Sequence, residues 1–206
     1  MDPKFIHPFS SIVAGPSGSG KAYFIVNFIR NLREVCDTEF AEILWHYSIW
    51  QPKLKIRGVK FIQGLPDTDF DAEQPRLIII DDLMRESSNS PVIIDLFTKG
   101  CHHKNISVSF ITQNIFYKGK NVRDISLNCH YMVLFKNPRD KAQIRHLAQQ
   151  MCPQNSKFLV EAFSEATDKP HGYLVVDLKQ ATPDKFRFRT NIFPEDGGTV
   201  VYIPRK

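Results

Sequence analysis

The chain has 206 residues, 42% hydrophobic and 24% charged, with 13 Pro and 10 Gly. That length holds one large domain or two very small ones at about 100–200 residues each, and the composition excludes collagen-like, low-complexity and disordered classes. No window approaches the roughly 20 uncharged apolar residues of a spanning helix, and Met1-Asp2-Pro3-Lys4 lacks the basic patch and apolar stretch of a signal peptide, which argues for an intracellular protein.

The cysteines Cys36, Cys101, Cys129 and Cys152 are scattered without a CxxC pair, so neither a disulfide framework nor a zinc ribbon is indicated and a reducing compartment fits. The neighbours Cys101-His102-His103 and Cys129-His130 read as buried thiols and surface imidazoles rather than zinc ligands, which usually show close spacing. Charge is uneven along the chain. Residues 1–97 carry 10 Lys+Arg against 13 Asp+Glu, whereas residues 98–206 carry 17 against 9. The second half is therefore the candidate face for nucleic acid or another acidic partner.

In chain order, an apolar run ends at Ala14 and leads into Gly15-Pro16-Ser17-Gly18-Ser19-Gly20-Lys21, after which Ile25, Phe28, Ile29, Leu32 and Val35 recur at helical spacing. The pattern predicts strand, glycine turn and amphipathic helix. Further strands are predicted over 42–48, 59–62, 77–81, 107–113, 131–136, 173–178 and 186–193, and the final stretch from Phe186, with Gly197-Gly198 and the closing 200–203, reads as a terminal β hairpin or edge strand. Helices are predicted from Ser90-Pro91 and from Asn137-Pro138, each with a capping side chain before a proline, and from Ser156 as a cap. Strands alternating with helices imply an α/β fold with a mainly parallel central sheet flanked by helices. The connection at 64–76 is the most exposed in character but too short to separate distinct domains, so residues 1–206 read as a single domain with a C-terminal β extension from about 172.

Gly15-x-x-x-x-Gly20-Lys21 matches the phosphate-binding P-loop except at its last position, where Ala22 replaces Ser or Thr. Glycines let successive backbone N–H groups of 15–22 point at phosphate oxygens, the following helix adds its positive end, and Lys21 supplies a point charge. Ala22 removes the hydroxyl that ordinarily ligates Mg²⁺. The uniformly apolar Leu77-Ile78-Ile79-Ile80 delivers Asp81 and Asp82 at a strand end. Such a pair reads as a Walker B element, Asp81 holding Mg²⁺ through water and Asp82 polarising the attacking water. Gln113, at the end of another strand and followed by Asn114, is placed to sense the γ-phosphate or the lytic water.

Two extended segments between the P-loop helix and the Asp81 strand, together with the acidic pair and Gln113, resemble the additional-strand, RecA-like P-loop NTPases and their FtsK/HerA branch. The text Ile79-Ile80-Asp81-Asp82-Leu83-Met84, Phe97-Thr98-Lys99-Gly100, Ile111-Thr112-Gln113-Asn114 and Leu134-Phe135-Lys136-Asn137-Pro138-Arg139-Asp140 is similar to genome-packaging ATPases of Maverick/Polinton elements and adintoviruses, with poxvirus packaging ATPases as more distant kin. The resemblance implies ATP and Mg²⁺ as ligands, assembly into a homo-oligomeric ring, translocation of double-stranded DNA into a capsid, capsid vertex proteins as partners, and a host nucleus or cytoplasmic virus factory as the place of action. The alternatives are a nucleotide-binding but hydrolysis-impaired structural or regulatory subunit, which Ala22 favours, and a helicase on the same core. Such rings supply a cation in trans to the neighbour's phosphates. The segment before the Gln113 strand offers His102, His103 and Lys104 but no arginine, leaving Lys104, Arg123 and Arg139 as candidates. Phe116-Tyr117-Lys118-Gly119-Lys120 reads as a loop in which Lys118 and Lys120 meet DNA phosphates, and Arg187 and Arg189 alternate with Phe186 and Phe188 as a second candidate basic face.

Overall fold

The computed structural model describes residues 3–49, 56–67, 73–81, 83, 91–100, 104–115 and 125–205. Among the described residues nine strands form one sheet: β1 Ser10–Ala14, β2 Glu42–Tyr47, β3 Val59–Gln63, β4 Arg76–Asp81, β5 Ile106–Thr112, β6 Tyr131–Phe135, β7 Tyr173–Asp177, β8 Phe188–Thr190 and β9 Val200–Tyr202. Their order is β3-β2-β4-β5-β1-β6-β7-β8-β9. Strands β1 to β6 pair in parallel, and β7, β8 and β9 extend the sheet antiparallel beyond β6. The sheet is therefore mainly parallel, and β5, which precedes Gln113, is inserted between β1 and β4.

The central strands are apolar on both sides because helices cover both sides. On one face lie α1 Lys21–Arg30 and the short α2 Leu32–Val35. Phe24, Ile25, Phe28 and Ile29 of α1 pack there with Val13, Trp45, Leu77, Ile79, Ile111 and Val133. The other face is covered by α3 Pro91–Asp95, which continues as a π-helical turn Leu96–Gly100, and by α4 Ala142–Met151 and α5 Ser156–Ala166. Ile93, Phe97, Ile144, Leu147 and Leu159 meet Ile12, Ile78, Ile80, Val108 and Leu134 on that side. Leu77, Ile78, Ile79 and Ile80 are wholly buried, alternating between the two cores. Among the described residues no helix is long and apolar enough to cross a membrane.

Three local expectations are corrected. The helix predicted from Asn137-Pro138 begins at Ala142. Asn137 Oδ1 instead accepts the Arg139 amide at 3.1 Å, forming a turn, and Asp140 Oδ1 accepts the Ala142 amide at 3.1 Å, so the aspartate satisfies the helix end. Ser156 is the first residue of α5, with Asn155 in the cap position. The segment predicted as one strand over 186–193 keeps only β8, because Asp184–Phe186 folds into a 3₁₀ turn. Its arginines form no basic face. Arg189 is wholly buried and donates to Asp177 Oδ2 at 3.0 Å, while Arg187 pairs with Asp184 at 2.7 Å and reaches the Asp177 and Lys179 carbonyls.

Candidate nucleotide-binding site

Parallel pairing brings the carboxyl ends of β1, β4, β5 and β6 to one edge. The register Ala14↔Thr112, Ala14↔Leu134 and Asp81↔Ile111 fixes this alignment. Gly15, Gln113 and Lys136 therefore emerge together beside Asp81, at the edge where ligands of open α/β sheets bind.

The loop leaves β1 with the Gly15 amide donating to the Thr112 carbonyl at 3.2 Å, closes on itself through Ser19 N to Pro16 O at 3.2 Å, and opens α1 with Phe24 N donating to Gly20 O at 2.8 Å. Two glycines are required by geometry. A Cβ on Gly15 would stand 2.6 Å from Phe135 Cβ and 2.7 Å from Ser19 Oγ. Gly20 adopts φ 108°, the left-handed turn that starts the helix. Lys21 folds back over this loop, its ammonium donating to the Gly15 and Pro16 carbonyls at 2.6 and 2.9 Å.

A cavity of about 350 Å³ brings Ser17, Gly18, Gly20, Lys21, Ala22 and Tyr23 together with Asp81, Thr112 and Gln113. Gly15, Pro16 and Ser19 are not in its wall; they shape the loop from behind, where the Ser19 hydroxyl is buried without a hydrogen-bond partner. The amino end of the ten-residue α1 opens into the cavity with no acidic residue in its first turn, so helix dipole and Lys21 charge act in the same direction. Facing them, Asp81 is buried at 8% exposure and accepts the Trp45 indole N–H on Oδ2 at 3.3 Å. Gln113 is exposed, and its backbone is set by a turn in which Thr112 Oγ1 donates to Asn114 O at 3.0 Å.

Among the described residues, this is a cationic cradle opposite the Asp81 carboxylate, with an amide side chain beside them. It suits a polyphosphate and a divalent cation. Among the described residues the donor set fits Mg²⁺, with Asp81 as the carboxylate at the cavity and a methyl group at Ala22 in place of a hydroxyl.

Asp82, Arg123, Lys118 and Lys120 lie outside the described residues, as do Cys101, His102 and His103. Lys104 precedes β5 and so stands at the edge opposite the cradle; Arg139 is exposed in the loop after β6, on the cradle's edge. Neither lines the cavity. Cys129 is buried and His130 Nδ1 accepts the Ser10 amide at 3.0 Å; among the described residues no group of three His, Cys, Asp or Glu is placed to hold a metal.

Two supporting residues carry no sequence signal. Trp45 reads simply as a strand residue, yet it is the wholly buried donor to Asp81. His171, at φ 63°, sits against Gly20 and donates from Nδ1 to the Ser19 carbonyl at 3.2 Å, joining the β7 approach to the loop.

No family model and no curated protein matches the chain. Among solved structures, the chain is similar to B204, the DNA-packaging ATPase from Sulfolobus Turreted Icosahedral Virus, with a TM-score of 0.56, 11% identity and 100% of each chain covered. It is also similar to the genome packaging NTPase B204 of Sulfolobus turreted icosahedral virus 2 in complex with ATP-gammaS, with a TM-score of 0.53, 12% identity and 99% of each chain covered. The AMPPCP complex of that protein gives 0.53 and 11% over 100% of each chain. At such identities the likeness is one of fold. The chain has an α/β fold built on a mainly parallel sheet flanked by helices. That fold is shared with the B204 structures over the whole length of the chain.

Proposed function

We propose that this chain is an ATP-binding subunit of a ring-shaped motor that moves double-stranded DNA into a viral or transposon capsid, most akin by its sequence motifs to the packaging ATPases of Maverick/Polinton elements and adintoviruses. The carrying observation is the single cavity that joins Lys21, Asp81 and Gln113 at the carboxyl edge of the sheet. The end-to-end likeness in fold to B204, named as a packaging NTPase and solved with ATP-gammaS and AMPPCP, supports the reading.

In this mechanism the loop amides and the α1 amino end hold the β- and γ-phosphates, and Lys21 exchanges the Gly15 and Pro16 carbonyls for phosphate oxygens. Asp81 would hold Mg²⁺, which when bound would neutralise charge on the phosphates. Gln113 orients the attacking water and reports its loss to the segment that follows β5. Asp82 is the base that polarises that water. A cation from the neighbouring subunit, Arg139 or Arg123 or Lys104, completes the charge balance. The Ala22 methyl offers the cation no ligand where a hydroxyl would, and turnover would be slower for it.

The same methyl favours a second reading, a subunit that holds ATP or ADP without cycling. Phosphate release separates the two. The motor reading predicts hydrolysis stimulated by duplex DNA, whereas bound nucleotide that stays unhydrolysed with DNA present overturns it in favour of the holding subunit.

A further inference from the structure

Cations are engaged differently in different parts of this molecule. Arg33 pairs with Glu39, Lys60 and Arg76 share Glu42, Lys157 pairs with Glu161, and Arg187 and Arg189 pair with Asp184 and Asp177. Arg30, Arg57, Lys169, Lys185 and Arg205 have no carboxylate partner among the described residues but are scattered along the chain, whereas from the end of β6 into α4 such cations cluster. Lys136, Arg139, Lys141 and Arg145 are all exposed, and no described carboxylate lies within ion-pair distance of any of them. The local carboxylate is committed elsewhere: Asp140 accepts the Ala142 amide at 3.1 Å and the Gln143 side-chain amide at 2.8 Å.

Three of these cations are contiguous. Lys136, Lys141 and Arg145 line one cavity of about 420 Å³ whose floor includes Leu134, Ile144 and Phe163, so their aliphatic stems cover apolar surface while their heads reach water. Lys136 also lines the neighbouring cleft with Lys169 and with Gly18 and Ser19 of the cradle loop. Lys141 and Arg145 stand one helical turn apart, about 6 Å of rise at 1.5 Å per residue. A DNA strand carries one phosphate per about 3.4 Å of axis, so the two heads span about two phosphate steps.

We propose that the β6–α4 strip, Lys136, Lys141 and Arg145, is the surface that grips the phosphate backbone of duplex DNA. The identity of this polyanion rests on the motor reading above; the strip itself rests on unpaired charge and spacing. Phosphate contacts of this kind position a duplex without reading its sequence, as a packaging motor requires. The strip also begins beside Gly18 and Ser19, so a change in the loop on nucleotide exchange is passed directly to the DNA-gripping surface.

The test is duplex binding by the full chain as a function of salt, comparing the parent with Lys141→Ala/Arg145→Ala and with Lys141→Glu/Arg145→Glu. Both positions are exposed, so thermal midpoint and ATP affinity should stay at parental values. The alanine pair should lower the slope of log K against log salt by about 2, one contact for each residue, and weaken binding equally for unrelated sequences. The glutamate pair should abolish binding at moderate salt. An unchanged slope overturns the proposal. So does loss of self-association with DNA affinity intact, which would make the strip a contact for an acidic face of another protein copy. A parent that binds ATP but no duplex at low salt overturns the strip and leaves the cradle standing; a parent that binds neither overturns the function reading itself.

Discussion

Replacing Trp45 by Phe isolates one hydrogen bond. Trp45 is wholly buried on β2, and its indole N–H is donated to Asp81 Oδ2 at 3.3 Å. Phenylalanine keeps an aromatic ring against Phe61 and the α1-side core but has no donor. The packing loss is modest: a void of about 40 Å³ at about 24 cal/mol per Å³ costs about 1 kcal/mol. The effect on the carboxylate is larger. A hydrogen bond to a charged group contributes about 1.5–3 kcal/mol, and losing the partner that orients a metal ligand typically costs about 10–100-fold in metal affinity. The variant should therefore need about 10–100 times more Mg²⁺ for half-maximal Mg²⁺-dependent ATP binding, while metal-free ADP binding, which depends on the loop and Lys21, stays within about twofold. The assay is an equilibrium nucleotide titration at a series of Mg²⁺ concentrations, with a thermal melt alongside. Equal Mg²⁺ dependence in the two proteins, with the variant folded, would refute the claim that Trp45 orients Asp81 for the metal.

Four further outcomes are expected. Ala22→Thr restores the missing hydroxyl and should raise steady-state ATPase activity with DNA present; equal rates would show that the methyl does not limit turnover. Gly15→Ala places a Cβ 2.6 Å from Phe135 Cβ, so it should displace the loop, weaken ATP binding by at least tenfold and lower the melting temperature, as measured by titration and calorimetry. Arg189→Leu leaves Asp177 buried without its guanidinium and should cost about 3–5 kcal/mol in denaturant unfolding, whereas adding Asp177→Leu should recover most of it. His46 is buried with Nδ1 against the Gly64 carbonyl, and burial holds its imidazole below the ordinary pKa. The unfolded chain then takes the proton first, so stability is full above about pH 6.5 and falls as pH drops below it; His46→Gln should flatten that decline in a series of thermal melts.

Much of this arrangement is legible in the sequence because it is local. The cradle needs glycine spacing, a preceding strand and a following amphipathic helix, and all three are contiguous from residue 10 to 30. Leu77-Ile78-Ile79-Ile80 announces a strand covered on both sides, and β4 is buried on both. What cannot be read is what the sheet order creates. Trp45 reaches Asp81 across neighbouring strands 36 residues apart, and His171 reaches Ser19 across 152. Alternation alone points to a basic face at Arg187 and Arg189; the opposite holds because β7 supplies Asp177 beside β8, which no period in the sequence encodes. Asn137-Pro138 has the form of a helix start, yet the Asp140 side chain takes the helix end three residues later. The strip of unpaired cations is partly visible as the basic excess of the second half, but its unpaired state depends on where the acids fold.

Everything functional here depends on Lys21 and the loop amides holding a triphosphate opposite Asp81. The direct measurement is calorimetric titration of ATP into the parent chain and into Lys21→Ala, with circular dichroism to verify that both are folded. The account predicts saturable binding by the parent and its loss, by at least a hundredfold, in the variant. Equal affinity in the two folded proteins would contradict it, because nucleotide would then be held somewhere other than the cradle.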